Sequence, residues 1–363
     1  MGAYMRPMDF GIFLQPFHHP SDDPTRALER DLDLIVLLDE LGYAEAWVGE
    51  HHSTGWENIG SPEVFIAAAA ERTTDIRFGT GVVQAGLHHP LVALDRMILL
   101  DHLTRGRVSF GLGVGGGIPS DLSVFGLSPE TAGRRMQESL DVILELLAGE
   151  GPVSARSDWF ELHDAVLQLR PYTEPHMPFA VASSDPRNIE LMGRLGGKVL
   201  LGGMPDRIEQ VYEHLRRGAE GAGREASRRQ IVLSYVLHLD EDHDEAMAQF
   251  EDGAVREFYE FQVGVNGRPN PEATADEWYR QYAQKHIIGS PGHAIERIAG
   301  DRRRLRRDHL HVPGVGRNRG VETVLASLRR GSRSEVLLTD RACCNRSGLH
   351  TVRRTRRTHH HST

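Results

Sequence analysis

The chain has 363 residues, 39% of them hydrophobic, with 42 basic side chains against 51 acidic ones and a net charge of −9. That balance argues against nucleic-acid and anionic-membrane partners. No apolar run approaches the roughly 18–20 residues of a membrane span, and MGAYMRPMDF carries no signal-peptide core. Both cysteines, Cys343 and Cys344, are adjacent, which excludes a disulfide framework and a CxxC metal pair. A cytoplasmic globular protein is expected.

The elements alternate in chain order. DFGIFLQ (9–15) is a strand, and RALERDLDLIVLLDELG (26–42) has apolar residues at helical spacing with a glycine stop. EAWVGE (45–50) is a second strand. A helix over 61–73 follows, with Ser61 placed to cap it, Pro62 at its first position and Glu63 in its first turn. IRFGTGVVQ (76–84) is a third strand, and the helix over 89–106 is closed by Gly106. RVSFGLGVGGG (107–117) is a fourth strand running into a glycine-rich turn, followed by a helix over 132–149. PFAVASS (178–184), KVLLGG (198–203) and IVLSYVLHLD (231–240) are the fifth to seventh strands, and LHV (310–312) is the candidate for the eighth.

Repeated strand–helix units imply a parallel sheet. No nucleotide fingerprint follows the first strand, so the expected fold is α/β, a (β/α)8 TIM barrel rather than a doubly wound sheet. Segments 150–177 and 241–290 are expected insertions before strands five and eight. The barrel is expected over 1–330, with VETVLASLRR (321–330) as its last helix and 331–363 as a basic tail. From Asp301 onward lie 16 of the basic residues and 5 of the acidic ones, a net of +11 that leaves −20 for residues 1–300. Such runs mark a solvated extension. A nucleic-acid-binding tail would interleave aromatics that stack on bases, and a shift of reading frame would also give this composition.

In a barrel the active site is built from the βα loops at the C-terminal strand ends. His-His occurs there three times, at 18–19, 51–52 and 88–89. Three readings stay open. One histidine of each pair could gather a metal with Glu50 in a metallohydrolase. The histidines could handle protons beside an organic cofactor, since imidazole titrates near neutrality. Or His19 and His89, each followed by proline, could merely end strands and begin helices. GLGVGG (111–116) matches G-x-G-x-x-G, but it follows the fourth strand and opens no helix, so it promises bare backbone for a ring or phosphate rather than a dinucleotide site. SSDPRN (183–188) offers hydroxyls, Arg187 and a helix N-terminus to a phosphate.

MDFGIFLQPFHHP, AWVGEHH, SPEVFIAAAAERT, IRFGTGVVQ, HHPLVALDR, LDHLTRGRVSFGLG and LQLRPYTEPHMPFAVAS occur in that order. Together they resemble the bacterial-luciferase-like flavin monooxygenases, most closely the limonene-monooxygenase-like subgroup, over roughly residues 8–240. The resemblance implies a homodimeric (β/α)8 barrel that receives reduced FMN from a separate flavin reductase. There reduced flavin and O₂ form a C4a-hydroperoxide that puts one oxygen atom into a hydrophobic substrate, such as a terpenoid or aromatic polyketide. The flavin carries the difficult chemistry while the protein orients it and excludes water.

By the same resemblance His51 of the EHH motif is the catalytic proton partner, with Glu50 beside it. Gly81-Val82 matches a cis pair against the flavin ring. Gly113, Val181, Ala182 and Ser184 lie along the cofactor, with Arg187 the candidate for its phosphate. Leu14, Phe17, Trp56, Leu112 and Ile118 would form the apolar substrate pocket. Gly113 and Val114 stand where luciferases carry a reactive Cys and a phosphate-binding Arg, so light emission is not implied. No metal is implied. The alternatives are an F420-dependent oxidoreductase of the same superfamily and a non-catalytic flavin-binding barrel.

Overall fold

The computed structural model describes residues 8–115, 119–253, 261, 275–305 and 335–340. Strand β1 (Met8–Leu14) leads to helix α1 (Pro24–Glu40), β2 (Glu45–Val48) to α2 (Pro62–Ala70), and β3 (Arg77–Thr80) with β4 (Val83–Gln84) to α3 (Pro90–Thr104). The single strand expected over 76–84 is thus two short ones, interrupted at Gly81-Val82, whose peptide bond is cis. β5 (Val108–Gly113) is followed by the five-residue α4 (Pro119–Ser123) and by α5 (Pro129–Ala148). Next come β6 (Val153–Arg156), β7 (Glu161–Ala165), β8 (Phe179–Ala182), α6 (Pro186–Leu195), β9 (Lys198–Leu200), α7 (Ile208–Gly221) and β10 (Ile231–Leu239). The last elements are α8 (His243–Asp252), α9 (Ala275–Lys285), β11 (Ile287–Gly289), α10 (Pro291–Leu305) and β12 (Glu335–Asp340).

Helix starts follow local chemistry. Asp23, Ser128 and Asp185 each accept a backbone N–H of the first turn, and each is followed by a proline whose missing N–H costs nothing there. Ser61 precedes Pro62 as expected, but its side chain makes no capping bond. α3 ends with Arg105 in the left-handed region (φ 55°), then Gly106 (φ 80°), so the stop begins one residue before the expected glycine.

The architecture is a curled, mostly parallel sheet flanked by helices. Parallel pairings run from β1 through β2, β3, β5, β8 and β9 to β10. β12 then pairs antiparallel with both β10 and β1, so the sequence of pairings returns to its start. The candidates for the eighth strand (310–312) and last helix (321–330) lie outside the described residues. Residues 335–340, assigned by composition to the tail, stand instead in the sheet, where Val336, Leu337 and Leu338 supply a short apolar strand inside arginine-rich text. Segment 150–177 contains the β6–β7 hairpin.

Ala46, Val48, Phe110 and Leu112 in the strands are buried in one core with Ile35, Ile66, Leu94, Ile98 and Ile143 of the surrounding helices, while Trp47 packs with Ala180 and Val232 of other strands. Each such full burial of a large apolar side chain stabilises by about 1.5–3 kcal/mol. Parallel pairing places the C-terminal ends of β2, β4, β5 and β8 at one end of the sheet, where β2 runs into Glu50, His51 and His52 and β8 into Ser183 and Ser184. Among the described residues no helix is long and apolar enough to cross a membrane.

Candidate active site

β2 ends at Val48, and the chain turns through Gly49, Glu50, His51 and His52 into a loop with left-handed Ser53 and Gly55. The turn is pinned by Gly49 N–H to Leu14 O and by His51 N–H to Ile59 O. Glu50 is buried. Its Oε2 accepts from Gln84 N (3.0 Å), and its Oε1 accepts from His52 Nε2 (2.8 Å) and His88 Nε2 (2.6 Å). Burial alone would raise its pKa; the hydrogen bonds from His52 and His88 outweigh that and bring it down to about 2. Glu50 is therefore a carboxylate at every physiological pH, an anchor rather than a proton donor.

His51 faces two acids. Its Nδ1 lies 2.9 Å from Asp121 Oδ2 and 3.3 Å from Glu57 Oε2. Asp121 is saturated: Oδ2 also accepts from Gln84 Nε2 (3.2 Å), and Oδ1 accepts from His52 N (2.9 Å). Glu57 Oε1 accepts from Gln15 Nε2 (2.7 Å), while the buried Oε2 makes no hydrogen bond. Burial pushes Glu57 toward the protonated acid. For His51, burial works against the charged ring, but the bond to Asp121 and the charges of Glu57, Asp121 and Glu50 prevail and raise its pKa. With Nδ1 engaged by Asp121, Nε2 is the ring nitrogen left for proton exchange. Gly49 leaves space there: a Cβ at that position would stand 3.5 Å from Nε2.

Asp121, Glu57 and Gln84 escaped sequence reading. Asp121 lies seventy positions after His51, in a five-residue helix behind a glycine run, and nothing in its local pattern announces it. Glu57 directly follows Trp56 and could have been noticed.

The three histidine pairs do not meet. His18 Nε2 binds Asp31 on α1 (2.9 Å), His19 Nδ1 binds Ser21 Oγ (2.7 Å), and His89 packs edge-on against Phe160. A metal gathered from all three pairs is therefore ruled out by their positions; only His52 and His88 converge, on Glu50. Two glycines of the glycine run also make room within the sheet. A Cβ at Gly111 would sit 1.9 Å from Thr80 O, and one at Gly113 would sit 2.4 Å from Val82 Cγ2.

Leu14 and Leu112 are each 1% exposed and belong to the main core rather than lining an open pocket. Phe17 and Trp56 stack with centroids 5.2 Å apart, and Phe261 closes on both in a separate apolar cluster. Ile118 lies outside the described residues.

Around the turn after β8, Val181 is buried while Ala182 and Ser184 are exposed. A cleft of about 490 Å³ opens there, lined by Val114, Arg134, Ser183, Asp185, Arg187 and Asn188 among others. Arg187 is turned back onto Asp185 (2.7 Å), and Arg134 is held by Asp158 and Glu138 (2.8 Å each).

The chain matches the model of the luciferase-like monooxygenases over residues 8–309. It is 44% identical over 260 residues to the 4-hydroxyprotoasukamycin monooxygenase of Streptomyces nodosus subsp. asukaensis, covering 69% of this chain and 70% of that protein. It is 40% identical over 251 residues to the limonene 1,2-monooxygenase of Rhodococcus erythropolis, covering 68% of this chain and 64% of that one, so under two thirds of that relative is spanned. The crystal structure of monooxygenase RslO1 from Streptomyces bottropensis superposes with a TM-score of 0.70 at 26% identity, over 81% of this chain and 89% of that one. At fold level, neighbours include the oxygenating constituent of 3,6-diketocamphane monooxygenase from Pseudomonas putida with FMN bound (TM-score 0.65, 20% identity, 83% of this chain and 89% of that one). Another is the F420-dependent tetrahydromethanopterin reductase of Methanopyrus kandleri (TM-score 0.60, 21% identity, 82% and 90%).

Proposed function

The chain belongs to the luciferase-like monooxygenase family, and from that premise we propose that it uses reduced FMN to place one atom of O₂ in a hydrophobic small molecule, a terpenoid or an aromatic polyketide. The observation that carries this reading is His51 at the strand ends, its Nδ1 2.9 Å from Asp121 Oδ2 and 3.3 Å from Glu57 Oε2, on a ring that is only one-fifth exposed. When bound, reduced flavin supplies the electrons that divide O₂ between product and water. His51 would deliver a proton through Nε2 and recover it from solvent. Asp121 and Glu57 fix its ring, and Glu50, held by His52, His88 and Gln84, keeps the turn in place.

The residues fit a flavin in two respects. Gln84 Oε1 is a buried acceptor without a hydrogen-bond partner, near Gly115 at the strand ends. Ser183, Ser184 and Asn188 offer neutral donors for a phosphate tail, and Arg187 offers charge once it leaves Asp185. An exposed ion pair of that kind is weak, so the rearrangement is cheap. Val181, Ala182, Gly81, Val82 and Gly113 would form the wall between the two.

We read the ring of strands as a (β/α)8 barrel whose closing strand runs in reverse, with 150–177 and 241–290 as insertions. A separate reductase would supply the reduced flavin, since the diketocamphane neighbour is itself named as an oxygenating constituent. Val64, Val92, Leu99 and Leu103 lie exposed on α2 and α3 and suit a second copy of the chain.

Rapid mixing of the protein with photoreduced FMN and oxygenated buffer tests the reading. Flavin reoxidation should pass through a slow phase absent from free FMN, and a hydrophobic substrate should shorten it. Reoxidation at the rate of free flavin, together with hydride transfer to or from F420 under the same conditions, would replace FMN by the deazaflavin.

A further inference from the structure

His52 and His88 reach Glu50 from different loops, one after β2 and the other after β4. Both bring Nε2 to a single atom, Glu50 Oε1, at 2.8 and 2.6 Å. The three ligand atoms lie within 4.8 Å of one another. A carboxylate oxygen can accept both hydrogen bonds, but the same two imidazole nitrogens and one carboxylate oxygen, gathered from two loops, are also the donor set of a cation centre. Replacing the two shared protons by one ion needs little movement. Zinc holds imidazole nitrogen and carboxylate oxygen at about 2.0–2.2 Å, which separates tetrahedral neighbours by about 3.3 Å. Each ring would retreat from Glu50 by roughly half an ångström, and both are 22% exposed.

The outer contacts are already in place. Gln84 N fixes the second oxygen of Glu50 at 3.0 Å, as metal-bound carboxylates require, and the ring of His52 rests edge-on against Phe125. We propose that Glu50, His52 and His88 form a binding site for a divalent transition-metal ion of the zinc type, with three protein ligands and one position open to solvent. Glu50 and His52 flank His51 in sequence, so an occupied site clamps the turn that carries it. The site stands without the flavin reading and is tested without flavin.

Cobalt(II) is the probe, titrated into the full-length protein and followed by its visible absorption. Wild type should take up one equivalent with the intense bands of a four-coordinate site, and zinc should bleach them. His88→Ala should weaken that uptake by at least about 10–100-fold, as should Glu50→Gln. His18→Ala should leave it unchanged, because His18 is engaged with Asp31. His88→Asn serves if the alanine variant fails to fold. Absence of four-coordinate bands in wild type overturns the proposal. So do bands that persist in the His88 and Glu50 variants, which would place the ion on other histidines such as His359–His361.

Discussion

Two histidines beside strand ends of the same sheet have their pKa values pushed in opposite directions. His51 sits among Asp121, Glu57 and Glu50, and its pKa is raised. His286 precedes β11 with its ring 4.1 Å from that of Tyr282, and its Nδ1 accepts from Val236 N (3.2 Å). Burial, then the charges of Lys285 and Arg297, push its pKa down to about 4. Burial works in the same direction on both rings. The carboxylates around His51 reverse it, and the cations near His286 reinforce it. An imidazole beside this sheet is therefore a proton carrier or a neutral acceptor according to its neighbours' charge, not its depth.

The largest expected effect comes from removing the reversal at His51. Asp121→Asn keeps the shape but takes away the anion on Nδ1. Oxygenation should fall by about 10²–10⁴-fold, and the alkaline limb of its pH profile should move to lower pH, because a ring without its anionic partner releases its proton sooner. Product formation against pH in both proteins is the measurement. An unchanged limb would mean that Asp121 only fills space.

The second prediction concerns His286 and runs the other way. Its folded pKa of about 4 lies below the ordinary 6.5, so the native state favours the neutral ring. Its contribution is complete above pH 6.5 and is lost as pH falls from 6.5 to about 4, by up to about 3 kcal/mol. Urea midpoints across that window should decline less steeply in His286→Gln, whose amide oxygen can still accept from Val236 N. Parallel declines in the two proteins would remove His286 from the acid sensitivity.

This contrast also marks how far the sequence was legible. The strand and helix rhythm, and the Glu50-His51-His52 turn after β2, could be read because periodicity and βα placement are local properties. The state of His51 could not, since it depends on Asp121, seventy positions away on α4. His286 drew no attention, because its neighbours in the sequence say little about burial. The resemblance correctly placed the cis bond at Gly81-Val82. The closeness of Gly111 to Thr80 and of Gly113 to Val82 could not be read either, since these contacts are made across strands. β12 was hidden by composition: six strand-forming positions inside an arginine-rich stretch read as tail.

The smallest effect is expected where charge is already spent. Arg187 is 75% exposed and paired with Asp185, so it contributes little to stability, and Arg187→Ala should leave the unfolding midpoint unchanged. If it turns to a flavin phosphate, that variant should bind FMN several-fold more weakly, about 1 kcal/mol. Asp185→Asn should do the reverse, because it frees the guanidinium and removes a negative charge from the cleft, at the cost of part of the α6 cap. Fluorescence titration of FMN against the three proteins separates these effects. Opposite shifts for the two variants would show that Asp185 and the phosphate compete for one cation. Equal affinities would assign the phosphate to neutral donors such as Ser183 and Asn188, and leave the Arg187–Asp185 pair a surface contact alone.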